Sequence, residues 1–140
     1  MTTPMGQQKN YSIMKATCFV IIILTSVKCF SQSGADAILG KWINVPRQNT
    51  IIEVFKSSGE YKGKIAWSND NKKKPVGYII LENLRYNSRR NTWENGKVKD
   101  PNSGMTYDAT AKIKSDGLLE VHGYMGFKFL GKKKSFRRVK

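Results

Sequence analysis

Cysteine is nearly missing from this chain. The 140 residues hold two, Cys18 and Cys29, and none follows position 29. That excludes a disulfide-stapled miniprotein, and it excludes a thiol nucleophile or thiolate metal site in everything after the first 29 residues. Histidine occurs once, as His122. With no thiol beside it and no serine in a nucleophile-elbow sequence, a lone imidazole supports no catalytic triad. Acids are scarce as well. Ten Asp and Glu face 25 Lys and Arg, for a net charge of +15. Such an excess points to polyanionic partners: nucleic acid, an acidic membrane surface or an acidic glycan. Long apolar runs are limited to one. Ala16 to Val27 reads ATCFVIIILTSV, well short of the roughly twenty residues that span a bilayer.

That run explains the N-terminal region. Lys15 precedes it, and no acid occurs before Asp36. Cys29 and Ser31 are small and stand at the −3 and −1 positions for a cut before Gln32. A basic start, a short apolar stretch and small residues at a cleavage site describe a secretory signal peptide. We therefore expect residues 1–31 to be a signal peptide cut between Ser31 and Gln32, with the product periplasmic or extracellular. A signal starting at Met14 has ordinary proportions, so residues 1–13 read as an over-long start, although Lys9 also fits a longer basic region. A retained anchor needs a longer apolar run. A lipoprotein signal needs a small residue just before Cys29, where Lys28 stands. Cleavage removes Lys9, Lys15 and Lys28 and no acid, leaving +12 on 109 residues without cysteine. That length suits one domain, stabilised by an ordinary core.

Beyond Gln32 the dominant pattern is alternation. Residues 32–39 read as a short linker or a helical turn, and 40–140 as one β domain. Tyr61, Gly63, Ile65 and Trp67 alternate with Lys62 and Lys64, and Met105 to Ile113 and Leu119 to Val121 behave alike. One apolar and one charged face per strand mean antiparallel sheet with a solvated side. Ser57-Ser58-Gly59, Asp100 to Gly104 and Ser115-Asp116-Gly117 are turn sequences, since Gly accepts positive φ, Pro presets φ and Asp, Asn and Ser bond nearby backbone. The pattern predicts strands near 41–45, 50–56, 61–67, 77–83, 92–98, 105–114, 118–125 and 133–139. Eight short strands with mostly short connections fit an antiparallel up-and-down barrel, which leaves no exposed edges.

Several motifs together resemble a known bacterial family. They are Gly40-Lys41-Trp42, Glu53-Val54-Phe55, Tyr61 to Trp67, Trp93 to Val98, the stretch from Gly96 through Asp100-Pro101 and Gly104 to Tyr107, and Leu119 to Tyr124. Over roughly Gly40 to Val139 the chain is similar to the domain of unknown function 2147 family. The resemblance implies an exported bacterial protein with a lipocalin-like, calycin-type β-barrel and no established activity. Gly40-x-Trp42 and a late arginine, Arg137 or Arg138, are also reminiscent of lipocalins. The loop from Ser68 to Pro75 looks short for the family.

Candidate chemistry follows from what an eight-stranded barrel can hold: its own side chains, or one small ligand. Trp42, Trp67, Trp93, Phe55, Tyr61, Tyr107, Phe127 and Phe129 are the aromatic supply, serving core or ligand. The small residues Gly63, Ala109, Ala111 and Gly123 leave space on inner faces. We take Trp42, Phe55, Trp67 and Tyr107 as ligand contacts, with Arg137 and Arg138 for an acidic head group. The expected ligand is small and hydrophobic or amphipathic, and no cofactor, metal or catalytic residue is assigned. Gly96, Asp100, Pro101 and Gly104 read as a structural turn motif. Asp100, Asn102 and Asp108 lack calcium-loop spacing, because Gly104 arrives early and Ala111 stands where the closing Glu belongs. Glu53, Glu94 and Asp108 form no constellation that spacing makes catalytic. The clusters Lys72 to Lys74, Arg89-Arg90, Lys132 to Lys134 and Arg137-Arg138 read as solvating charge, with an anionic envelope surface as the alternative partner. No nucleic-acid module signature accompanies them.

Overall fold

The computed structural model describes residues 34–126 and 131–140. The expected signal peptide with its cut between Ser31 and Gln32, both cysteines, Phe127 and Phe129 lie outside the described residues. A single 3-10 turn, Ala35–Ile38, leads into eight strands: β1 (Gly40–Val45), β2 (Thr50–Ser57), β3 (Glu60–Ser68), β4 (Ile79–Asn87), β5 (Thr92–Lys99), β6 (Thr106–Ile113), β7 (Leu119–Tyr124) and β8 (Lys132–Arg138). Each strand pairs antiparallel with the next, and β8 returns to β1 to close the barrel. The fold is thus the eight-stranded up-and-down barrel that the alternation predicts.

The largest difference from the predicted elements is β4. It runs over Ile79–Asn87, later than 77–83. Gly77 takes φ +89° and stays in the preceding loop. Strict alternation also fails on β4 and β5. Leu81 and Leu84 both face inward, as do Trp93 and Gly96, although each pair is three residues apart. Asn83 and Asn95 sit between them at φ 60°, and asparagine tolerates that left-handed backbone better than most residues. The pairing of β3 with β4 and of β5 with β6 shifts register beside them. The result is a pair of facing bulges, one on each neighbouring strand. Gly96 is required there, since a Cβ would overlap the Leu84 side chain.

One end of the barrel is solid. Ile38, Trp42, Val54, Tyr61, Leu84, Trp93, Ala111 and Leu119 are buried together. The 3-10 turn plugs this end, and barrel side chains satisfy its backbone. The Trp42 indole N–H donates to the Ile38 carbonyl at 2.9 Å, and the Trp93 indole to that of Ala35 at 3.0 Å. Tyr61 donates its hydroxyl to the Asp36 carboxylate at 2.6 Å. Arg138 donates to the carbonyls of Ala37 and Leu39 at 2.6 and 2.8 Å, with its guanidinium 4.1 Å from the Trp42 ring centre. Buried tryptophans need partners for their N–H groups, and a short helical turn leaves carbonyls that need donors. The plug meets both needs.

Candidate functional site

The other half of the barrel is hollow. The loops joining β1–β2, β3–β4 and β5–β6 stand at its open end, as do the end of β7 and the start of β8, and beneath them lies a cavity of about 560 Å³. Ligand-binding cavities are commonly about 300–1,000 Å³. Its deeper wall is apolar: Ile52, Ile65, Leu81, Val98, Val121 and Phe136. Toward the opening stand Lys74, Lys99, Lys132 and Lys134, with Asp100 as the one acid lining it among the described residues. Of the small inner residues, Gly123 borders this space. Gly63 is filled over by Leu81, and Ala109 and Ala111 belong to the packed core.

The basic lining follows from strand geometry. Phe136 is buried at the inner face of β8. Side chains two and four residues away on a strand share that face, which sets the exposed Lys134 and Lys132 at the rim of the cavity while Lys133 points out to Glu120 at 3.8 Å. Lys74 donates to the Thr50 hydroxyl at 3.1 Å, and Lys99 pairs with Glu82 at 3.1 Å. Among the described residues Lys132 and Lys134 form no ion pair. Asp100 makes no direct ion pair with them: its charge is felt by Lys134, but its carboxylate is held by hydrogen bonds in its own turn. It accepts from the Asn102 N–H at 2.9 Å and the Ser103 hydroxyl at 3.1 Å. The Asn102 hydrogen bond first, then the Ser103 hydroxyl and the nearby charge of Lys134, hold its carboxyl below the ordinary value against the effect of burial. The site is an apolar pocket with a net cationic rim, four lysines against one lining acid.

Of the residues taken from the sequence as ligand contacts, Tyr107 lines the cavity. Trp42 and Arg138 belong to the plug at the opposite end. Phe55 faces outward, with the Lys64 ammonium 5.4 Å from its ring centre. Trp67 lies on the outer wall opposite Ile51 and is 46% exposed, and Arg137 is an exposed outer residue opposite Ile43. Within the turn motif, Asp100, Pro101 and Gly104 make the β5–β6 connection, with the Gly104 N–H on the Asp100 carbonyl at 2.8 Å and Gly104 at φ 72°. Gly96 lies inside β5 instead. Asp108 pairs with Lys97, not with Asp100. Sequence reading missed Lys132 and Lys134 by treating the lysine run as one solvated cluster. The available signal was their alternation with Phe136. Among the described residues no group of three or more His, Cys, Asp or Glu is placed to hold a metal ion.

No curated protein matches the chain. Among solved structures it is similar to the Helicobacter pylori protein HP1028, described as belonging to the lipocalin family. The two share 18% identity with a TM-score of 0.61, over 74% of this chain and 83% of that one. The likeness establishes a lipocalin-like fold. The family described as an uncharacterised protein conserved in bacteria, DUF2147, matches residues 40–138. That span covers the closed barrel from its first strand to the arginine that secures its plug, and the chain belongs to this family.

Proposed function

We propose that this protein is a non-enzymatic binder of a small amphipathic anion, which it holds in the open half of its barrel. The observation that carries the reading is the cavity of about 560 Å³ with an apolar wall and, at its rim, exposed lysines that form no ion pair among the described residues. The apolar body of the ligand sits against Ile52, Ile65, Leu81, Val121 and Phe136. Its acidic head meets Lys132 and Lys134, where a charge-assisted hydrogen bond contributes about 1.5–3 kcal/mol. The lipocalin-like fold supports small-ligand binding in general, while the ligand class here rests on the lining. A binding role is favoured over catalysis because Glu53, Glu94 and Asp108 lie outside the lining, as does His122. We place the protein outside the cytoplasm, on the strength of the basic and apolar leader and of a cysteine-free barrel.

Displacement of a fluorescent fatty acid tests the reading, together with native mass spectrometry of protein purified without refolding. A fatty acid is expected to bind more tightly than the alcohol of equal chain length. Lys132→Glu with Lys134→Glu should weaken the acid at least tenfold, as about 1.5 kcal/mol implies. Val121→Trp should block the cavity and abolish binding. Equal affinity for acid and alcohol would remove the head-group assignment. Failure of every amphiphile to bind would remove the function.

A further inference from the structure

Among the described residues, the large hydrophobic side chains that remain exposed are not scattered over the barrel. They are Trp67 at 46%, Val76 at 57%, Met105 at 46% and Met125 at 59% exposure. Trp67 is the penultimate residue of β3, Val76 lies in the β3–β4 loop, Met105 in the β5–β6 loop and Met125 just after β7. In an up-and-down barrel those four places share one end, the open one. The plugged end carries none of the four. Its described charges are largely paired, with Arg85 on Glu60 at 3.0 Å, Arg90 on Glu94 at 3.4 Å and Lys114 on Asp116 at 3.8 Å.

Charge follows the same polarity. The exposed Lys72 and Lys73 flank Val76 in the β3–β4 loop, and Arg47 is exposed in the β1–β2 loop. Asp70 and Asp100 are the acids of the described open-end loops. Both are engaged by local backbone, Asp70 accepting from the Lys73 N–H at 3.2 Å and Asp100 from that of Asn102 at 2.9 Å. Apolar side chains at several open-end positions amid an excess of lysine over acid match the composition of a bilayer interface. There the apolar groups enter the acyl boundary and the lysines meet anionic head groups.

We infer that the open end of the barrel docks on the surface of an anionic phospholipid bilayer, with Trp67, Val76, Met105 and Met125 entering the interface and Lys72 and Lys73 set against the head groups. The assignment rests on surface side chains and holds whether or not the cavity takes a ligand. Docked this way, the barrel axis stands toward the membrane, and the cavity opens to the lipid rather than to bulk water.

Flotation with vesicles of phosphatidylglycerol and phosphatidylcholine tests it, using the protein as isolated from the cell. Each variant is compared with its own parent, so that any contribution of residues 1–33 cancels. Binding should require phosphatidylglycerol and fall steeply with salt. Trp67 should be quenched by brominated acyl chains. Trp42 and Trp93, each 1% exposed, should not be, so Trp67→Phe should erase the quenching. Val76→Asp with Met125→Asp, or Lys72→Glu with Lys73→Glu, should weaken binding at least tenfold, while Arg89→Glu at the plugged end leaves it unchanged. The cavity-blocking Val121→Trp should still bind vesicles, which separates this surface from the ligand site. Three outcomes would overturn the inference: no binding to pure lipid, equal loss from Arg89→Glu, or attachment to native membranes that disappears on protease treatment and so reveals a protein receptor.

Discussion

Tyr61 shows how much one buried polar group can depend on its surroundings. Its ring is 2% exposed and its hydroxyl donates to Asp36 in the plug. Burial, and then the hydrogen bond to the Asp36 carboxylate, push the phenol up to about 12 from an ordinary value of 10.0. The folded state thus holds this proton more tightly than the unfolded chain does. The resulting stabilisation is complete below the unfolded value and is lost as pH rises through about 12. We expect unfolding by urea to become easier between those two values, by on the order of 2 kcal/mol. Tyr61→Phe should be less stable near neutrality and should lack that alkaline component. An identical pH profile in the variant would show that other groups cause the alkaline loss.

At the scale of elements, the facing bulges of β4 and β5 let a two-residue alternation make a barrel of two different halves. By setting Leu84 and Trp93 inward three residues from Leu81 and Gly96, they crowd large side chains toward the plug. Gly96 permits this because nothing larger fits beside Leu84, which is fully buried and cannot swing away. Gly96→Ala should cost about 1–3 kcal/mol through overpacking. In a Leu84→Ala background the same change should cost much less, so a double-mutant cycle in urea should show strong coupling. Additive losses would mean that Gly96 matters for backbone reasons instead. The bulges were not legible in the sequence. Asn83 and Asn95 look like ordinary outward polar residues, and their left-handed backbone shows only once the neighbouring strands are in register.

For the whole molecule, the division of labour runs along the barrel axis. The plugged end supplies rigidity, and the open end supplies the cavity and its lysines. Arg138 illustrates the separation, since it caps two carbonyls of the plug and covers Trp42. Arg138→Ala should lower stability by about 1–2 kcal/mol, as charged hydrogen bonds are lost near solvent. It should leave affinity for a cavity ligand within twofold, because the two ends share no polar contact through Arg138. A large loss of ligand affinity with stability unchanged would instead place Arg138 in the binding site.

Much of this architecture is written in the chain. Alternation specified the eight strands and, outside the bulges of β4 and β5 and the end of β3, their two faces, because a pleated strand allows only two directions for a side chain. The Asp100 to Gly104 segment marked one turn by local chemistry alone, while Gly40-Lys41-Trp42 marked the first strand through its resemblance to a known family. The height of each inward residue along the barrel axis was decided by the tertiary structure. Height depends on strand tilt, register and bulges, which are long-range properties. It sends Trp42 and Arg138 to the plug and Lys132 and Lys134 from an apparent surface cluster to the rim of a cavity, while the register shift between β2 and β3 turns Trp67 to the outer wall.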